Sequence, residues 1–394
     1  MEKVVLVSGL RTAIGQFGGS LKNVPASELA ANVIKGLLQR TGISGETVEE
    51  VILGCLGQIG QDAYVSRVAA IQAGLPIETT AMTVNRLCSS GLQSIISGAL
   101  SIQTGAVHTV IAGGVENMSR YPFLDYSRRW GHKFGAVGMP DALNEVLSDP
   151  FEHYPMGTTA EHIAERFGIS RTEQDEFALG SQQKAVKAIE AGAFKEQILP
   201  LQISDSRGNI TVFDTDEYPK KDPSMDKLSR LKPSFKQNGT VTAGNSSGIN
   251  DAASAVLLMS ESQAEKYGLK PIVSLKSYAF SGVDPAIMGV GPVPAVRKAL
   301  NRAGLTLDDI GLVESNEAFA VQCLYVSKEL NMNPDLVNVN GGAIALGHPV
   351  GATGNLLTVK LMYEMLRRNV KYGLVTLCVG GGQGCAVIFE NETI

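Results

Sequence analysis

The 394-residue chain is poor in several residue types, and each shortage excludes a class of protein. It has five cysteines, Cys55, Cys88, Cys323, Cys378 and Cys385, an odd number at wide spacing with no C-x-x-C pair. That argues against a disulfide framework or a structural zinc site and for a reducing compartment. No apolar run approaches the length of a membrane span. No long basic run occurs and the formal charge is −5, so nucleic acid is not the expected partner. H-E-x-x-H is missing, "GGGQG" is not followed by the Lys of a phosphate loop, and "AGGVENMS" lacks dinucleotide spacing. The start, "MEKVVLVSGLRTAIG", reads as a strand rather than a secretion signal, and "ENETI" at the other end carries no lipidation signal. A soluble, cytoplasmic protein without a metal is the expectation.

What is present is α/β alternation. Val4–Val7, Val51–Leu53 and Val110–Ala112 read as buried strands, and Ser27–Arg40, Arg67–Ala73 and Leu92–Gln103 as helices. From about Tyr121 to Ser246 the chain is richer in charge, proline and aromatics, with two helices expected at Thr159–Phe167 and Thr172–Ala191. After Ala252 the alternation resumes and echoes the first half. "KGLLQRTGISGETVEEVILG" has the layout of "RKALNRAGLTLDDIGLVES", and "GAVHTVIAGGVENMS" that of "NVKYGLVTLCVGGGQG". Two similar halves around an insert predict two similar layers with a site where they meet.

Chemistry first suggests itself at Cys88, in "VNRLCSSGLQSI". Apolar residues at Leu92, Ile95, Ile96, Ala99 and Leu100 mark a buried helical face just after it. A thiol at a helix start meets unpaired N–H groups and the positive end of the dipole, which favours the thiolate. No base or acid lies nearby in the sequence. His348, one of five histidines, stands in the glycine-rich "NGGAIALGHPVGATG", ahead of a helix expected over Leu356–Arg367. A lone loop histidine more often only bonds backbone; His132 and His162 have no comparable setting. Cys378 ends an apolar strand before Gly380, Gly381 and Gly382, where backbone N–H groups can approach a ligand. A small core cysteine is the plainer alternative, and the better one for Cys323 and Cys385. Asn316 and Glu317 follow the strand "IGLVES"; they reach into a site at the strand ends, or Asn316 simply caps the next helix.

Together these stretches resemble the thiolase family over essentially the whole chain and in order. The carrying residues are Asn85 to Gly91, Asn316 to Ala320, Gly347-His348-Pro349 with Gly351 and Gly354, and Cys378 to Gly384. The resemblance implies duplicated α/β halves in five alternating layers with an inserted loop domain. The implied division is 1–120 with 247–271, an insert over 121–246 that binds CoA and tetramerises, and 272–394.

The resemblance also implies two-step chemistry on CoA thioesters, with no separate cofactor. Cys88 would carry the acyl group, His348 would take the thiol proton, and Cys378 would exchange a proton with the carbon of the second substrate. Asn316, through a water, and Gly380 would serve the two oxyanions. Substrate contacts would come from Leu147, Met156, Lys220, Phe235, Ala243, Ser247, Met288, Ala318 and Phe319. The stretch around Met288 is most similar to members that join two acetyl-CoA into acetoacetyl-CoA. A degradative enzyme for longer chains and a non-catalytic acyl-CoA binder are the alternatives. The partners implied are acetyl-CoA, acetoacetyl-CoA, CoA and further copies of the chain, as a tetramer built of two dimers. The aromatic "SRYPFLDYSRRWGHKFG" is the candidate tetramer loop, or else a cover over the site.

Departures from the family pattern are Pro155 for a common histidine, Lys220 for a common arginine, Ser89 for glycine and Thr353 for serine. Asp62-Ala63-Tyr64 also stands where Gly-Gln-Asn is usual.

Overall fold

The computed structural model describes residues 2–204 and 208–394. The first half supplies β1 (Val4–Arg11), β2 (Gly15–Gln16), β3 (Glu50–Gly54), β4 (Thr80–Val84) and β5 (Thr109–Asn117), with α1 (Ala26–Thr41), α2 (Val65–Gln72) and α3 (Ser90–Gln103) between them. The chain then leaves the sheet. It forms α4 (Ala142–Val146), α5 (Met156–Phe167), α6 (Arg171–Glu190), the hairpin β6 (Leu201–Ser204) and β7 (Ile210–Phe213), and α7 (Met225–Ser229). It returns as β8 (Asn250–Ser260) and α8 (Glu261–Lys266). The second half holds β9 (Val273–Gly282), α9 (Pro292–Ala303), β10 (Leu312–Ser315), α10 (Ala320–Leu330), α11 (Ala343–Leu346), α12 (Val350–Arg368), β11 (Tyr372–Val379) and β12 (Gln383–Asn391).

The duplication is visible in strand order. The large sheet runs β10-β11-β12-β9-β1-β8-β5-β3-β4, with β2 on β8. Outward from the seam, β1, β8, β5 and β3 pair antiparallel, antiparallel and parallel. From the same seam, β9, β12, β11 and β10 repeat that pattern. The halves join through β1 and β9 over two residue pairs, Val5↔Ser274 and Leu6↔Val273. Strands β1, β5 and β8 are buried along their whole length, which is why they read as unbroken apolar runs rather than alternating ones.

Helices α3 and α12 lie between the two half-sheets and pack on each other, while α1 with α2 and α9 with α10 cover the outer faces. That gives five layers. The first three turns of α12 bury every residue, as a helix enclosed on all sides must. Its crossing with α3 is close. A Cβ on Gly91 would stand 2.6 Å from the Asn355 nitrogen, and one on Gly354 2.6 Å from the Leu92 nitrogen.

The insert is more ordered than the sequence suggests, adding α4, α7 and the β6–β7 hairpin to the two expected helices. A buried ion pair ties it to β1: Arg11 holds Asp216 at 2.7 and 2.9 Å, and Asp216 also accepts from the Ile14 N–H. Among the described residues no helix is long and apolar enough to cross a membrane, and no group of His, Cys, Asp and Glu is placed to hold a metal ion.

Candidate active site

The site forms where the ends of the two halves meet the insert. Cys88 lies in a single 3-10 turn, Leu87–Ser89, that leads into α3. Leu87 has a φ of 46°, uncommon for a side chain of its size, and its N–H is taken by the Asn85 side chain at 2.9 Å. Ser90 closes the turn, donating to the Leu87 carbonyl and accepting from the Arg86 N–H. The thiol is thereby fixed on the floor of a cavity of about 580 Å³.

His348 reaches the same cavity from the second half. Its approach needs Gly347, which has a φ of 113° and whose Cβ would lie 2.4 Å from the Asn250 side chain. The His348 N–H donates to Asn250 Oδ1 at 3.0 Å. The tautomer follows from the neighbours. The Thr353 hydroxyl donates to the Pro349 carbonyl at 2.9 Å, so at 2.7 Å from His348 Nδ1 its oxygen accepts. The ring proton is therefore on Nδ1, and Nε2 presents its lone pair. Asn316 Nδ2 faces that nitrogen at 3.4 Å, while Asn316 Oδ1 is buried without a protein partner.

Burial sets the charges. The imidazole is pushed down to about 4 by loss of solvent. The Cys88 thiol is pushed up to about 11, burial outweighing hydrogen bonds to its sulfur from the Gly380 and Cys88 N–H groups. The expected favouring of the thiolate at the helix start is thus opposed by desolvation, at a thiol that is half-buried and lines the cavity. Cys378 is fully buried at the end of β11, and burial raises it further, with Cys88 the next contributor. Cys88 is therefore near enough to weigh on Cys378.

Of the residues expected to meet substrate, Leu147, Met156, Phe235, Ala243, Ser247, Met288, Ala318 and Phe319 line the cavity, as does Gly380. Lys220 does not. It is exposed, with its ammonium 4.6 Å above the ring of Tyr218, which does line the cavity. Cys378 and Asn316 lie just behind the wall, Cys378 packed with Met288, Ala318 and Phe319. Asn316 is no helix cap, since α10 begins at Ala320 with Phe319 before it. Glu317 turns away from the cavity and accepts from Ser181 at 2.6 Å, Asn338 at 2.8 Å and the Ile344 N–H at 3.2 Å. It fastens the segment leading to His348 onto α6.

Sequence reasoning missed Tyr218, Leu56, Met118 and Ile249 in the lining. They are ordinary apolar or aromatic residues, and only folding assembles them. Thr353 stood in the sequence only as a departure from serine, although its place five residues after His348 was a usable signal for the partner of the ring.

Two family models divide the chain: Thiolase, N-terminal domain, matches residues 4–262, and Thiolase, C-terminal domain, matches residues 269–391. The chain belongs to the thiolase family. It is 51% identical over 392 residues to a beta-ketothiolase of Cupriavidus necator, covering 99% of each chain. It is 50% identical over 393 residues to an acetyl-CoA acetyltransferase of Pseudomonas aeruginosa, covering 100% of each. The crystal structure of the Bacillus anthracis acetyl-CoA acetyltransferase superposes with a TM-score of 0.98 at 46% identity, over 99% of each chain.

Proposed function

We propose that this chain is an acyltransferase that joins two acetyl-CoA into acetoacetyl-CoA and CoA, and runs the reverse. The observation that carries the reading is one cavity floored by Cys88, with the unprotonated Nε2 of His348 and the N–H of Gly380 at the same floor. The names of the relatives give the acyl class.

In the first step the Cys88 sulfur attacks the thioester carbonyl as its proton passes to His348 Nε2. The bond from carbonyl carbon to CoA sulfur breaks, and the departing thiolate takes its proton from Cys378, which leaves Cys378 ionised and His348 holding the Cys88 proton on Nε2. The acetyl group is left on Cys88, and the N–H groups of Cys88 and Gly380 hold the oxyanion between bond making and breaking. In the second step Cys378 removes a proton from the methyl group of another acetyl-CoA. The carbanion attacks the acetyl carbon, a C–C bond forms, and the Cys88 sulfur leaves and takes its proton back from His348. Burial suits Cys378 to this work, because a thiol held protonated gives a stronger base once ionised and a ready acid in the cleavage direction. The buried Asn316 Oδ1, unpaired in protein, is a fitting acceptor for the water that would support the enolate oxygen with His348.

Apolar Leu147, Met156, Phe235, Ala318 and Phe319 suit a pantetheine arm, with Ala243 and Ser247 beside it and Met288 at the acyl end. Lys220 at the rim offers charge to the CoA phosphates. A cytoplasmic tetramer completes the reading. Phe123, Tyr126, Trp130 and Phe134 stand 62, 69, 87 and 96% exposed on one loop, a surface for which a second copy is the fitting cover.

The test is CoA-dependent cleavage of acetoacetyl-CoA beside six-carbon and longer 3-ketoacyl-CoA, with Cys88→Ser in parallel. Cleavage mainly of acetoacetyl-CoA, lost in the variant, supports the proposal. Preference for the longer substrates places the chain with degradative enzymes. No cleavage by folded wild-type protein leaves a binder.

A further inference from the structure

Glu116 closes β5 below the cavity, 1% exposed, and nothing in the chemistry above uses it. Its two oxygens are crowded with donors. Oε2 accepts from the Leu56 N–H at 3.0 Å and the Gly351 N–H at 2.8 Å. Oε1 accepts from the Gly57 N–H at 2.9 Å and the Tyr121 hydroxyl at 2.9 Å, with the Cys55 thiol at 3.7 Å. A protonated carboxyl would turn its own hydrogen toward one of these donors, so the set fits the carboxylate, although burial pushes Glu116 upward.

The partners belong to three segments that pack together around the carboxylate. Leu56 is part of the cavity floor beside Cys88 and Val350. Gly351 is in the first turn of α12, three residues after His348, with Pro349 between them. Tyr121 begins the exposed aromatic loop. The carboxylate also lies at the positive end of a 19-residue helix, where an anion is favoured. The grip on α12 leaves no slack: a Cβ on Gly351 would stand 2.5 Å from Glu116 Oε2 and 2.9 Å from the Cys55 Cα.

We propose that Glu116 is a positioning residue for acyl transfer: by holding the start of α12 at Gly351 and the cavity floor at Leu56, it sets where His348 stands relative to Cys88. The proposal rests on the thiolase activity proposed above. Tyr121 assists, its hydroxyl fixing Oε1, so the root of the aromatic loop is coupled to the base.

Steady-state kinetics of acetoacetyl-CoA cleavage test this on Glu116→Gln, Tyr121→Phe and Gly351→Ala. Glu116→Gln keeps the shape but sets an amide N–H₂ against N–H donors. Misplacing a base by about 1 Å costs on the order of 100-fold, so Glu116→Gln and Gly351→Ala are expected to lose about 10- to 100-fold in kcat. Tyr121→Phe, which removes one hydroxyl, should lose only a few-fold. KM should stay within about twofold in all three, because none of the three residues lines the cavity. Folded variants with wild-type kcat, or a rise in KM alone, would overturn the proposal. Should Glu116→Gln fail to fold, Tyr121→Phe decides, and wild-type kcat in that variant overturns it. Wild-type protein that cleaves no 3-ketoacyl-CoA at all would remove the activity reading and this inference with it.

Discussion

Cys88 and His348 should both be neutral in the resting protein. Carrying the proton from sulfur to nitrogen works against a gap of about 11 minus about 4, or about 7 pH units. At about 1.36 kcal/mol per unit that is roughly 9 to 10 kcal/mol. Attraction between the resulting ions, taken at about 4 Å with an effective dielectric of about 20, offsets roughly 4 kcal/mol of it. About 5 kcal/mol remains against the ion pair, so fewer than about one molecule in a thousand would hold it. On the proposed mechanism the thiolate would then be made as the substrate carbonyl is attacked, not stored beforehand. The assay is the ultraviolet absorbance of thiolate, recorded as wild type minus Cys88→Ser across about pH 5 to 9.5. No Cys88-dependent thiolate signal is expected below about pH 9. A step of one thiolate with its midpoint below about pH 8 would refute the reasoning, showing that the dipole and the N–H groups outweigh burial after all.

Three other outcomes follow from the geometry. Thr353→Val deprives Nδ1 of its acceptor and frees the wrong tautomer, so kcat should fall about 10- to 100-fold with KM little changed, while Thr353→Ser stays near wild type; steady-state cleavage kinetics check both. Asp216→Ala strands the buried Arg11 guanidinium and should cost about 3 to 5 kcal/mol, read by denaturant unfolding. His348 binds a proton less readily folded, near 4, than unfolded, near 6.5. The unfolded chain therefore gains the proton first as pH falls, and the stability present above about 6.5 declines toward about 4 by roughly 3 kcal/mol. His348→Asn should flatten that part of the curve, and an unchanged pH slope would count against it.

The sheet strands were readable as short unbroken apolar runs, and the outer helices because their apolar positions recur with the helical period. Expected ends differ mostly by a few residues, as with Thr172–Ala191 against α6 at Arg171–Glu190. The exception is α12, expected from Leu356 but begun at Val350. Gly351 and Gly354 look like loop residues, yet they are small because the helix start is pressed against β5 and α3. The internal repeat was legible from the order of elements alone, and the matching strand order gives its cause. At the site, Cys88, His348 and Gly380 were legible because glycine and small polar residues surround them at strand and helix ends. The protonation states were not, since they depend on how much protein closes over each group. Nor was the opposite facing of Asn316 and Glu317, adjacent residues that serve different surfaces.

The place of α12 bears on how the chain comes into being. Strand β8, residues 250–260, slots between β1 and β5, so the first half-sheet stays open until that stretch has left the ribosome. Even then the inner face of that half-sheet and the exposed side of α3 wait for α12, about 90 residues further on. A nascent chain holding only the first half would show a broad apolar surface whose cover does not yet exist. Ribosome-bound chains stalled near residue 270 should therefore recruit chaperones that chains stalled past β12 do not, and the first half expressed alone should aggregate.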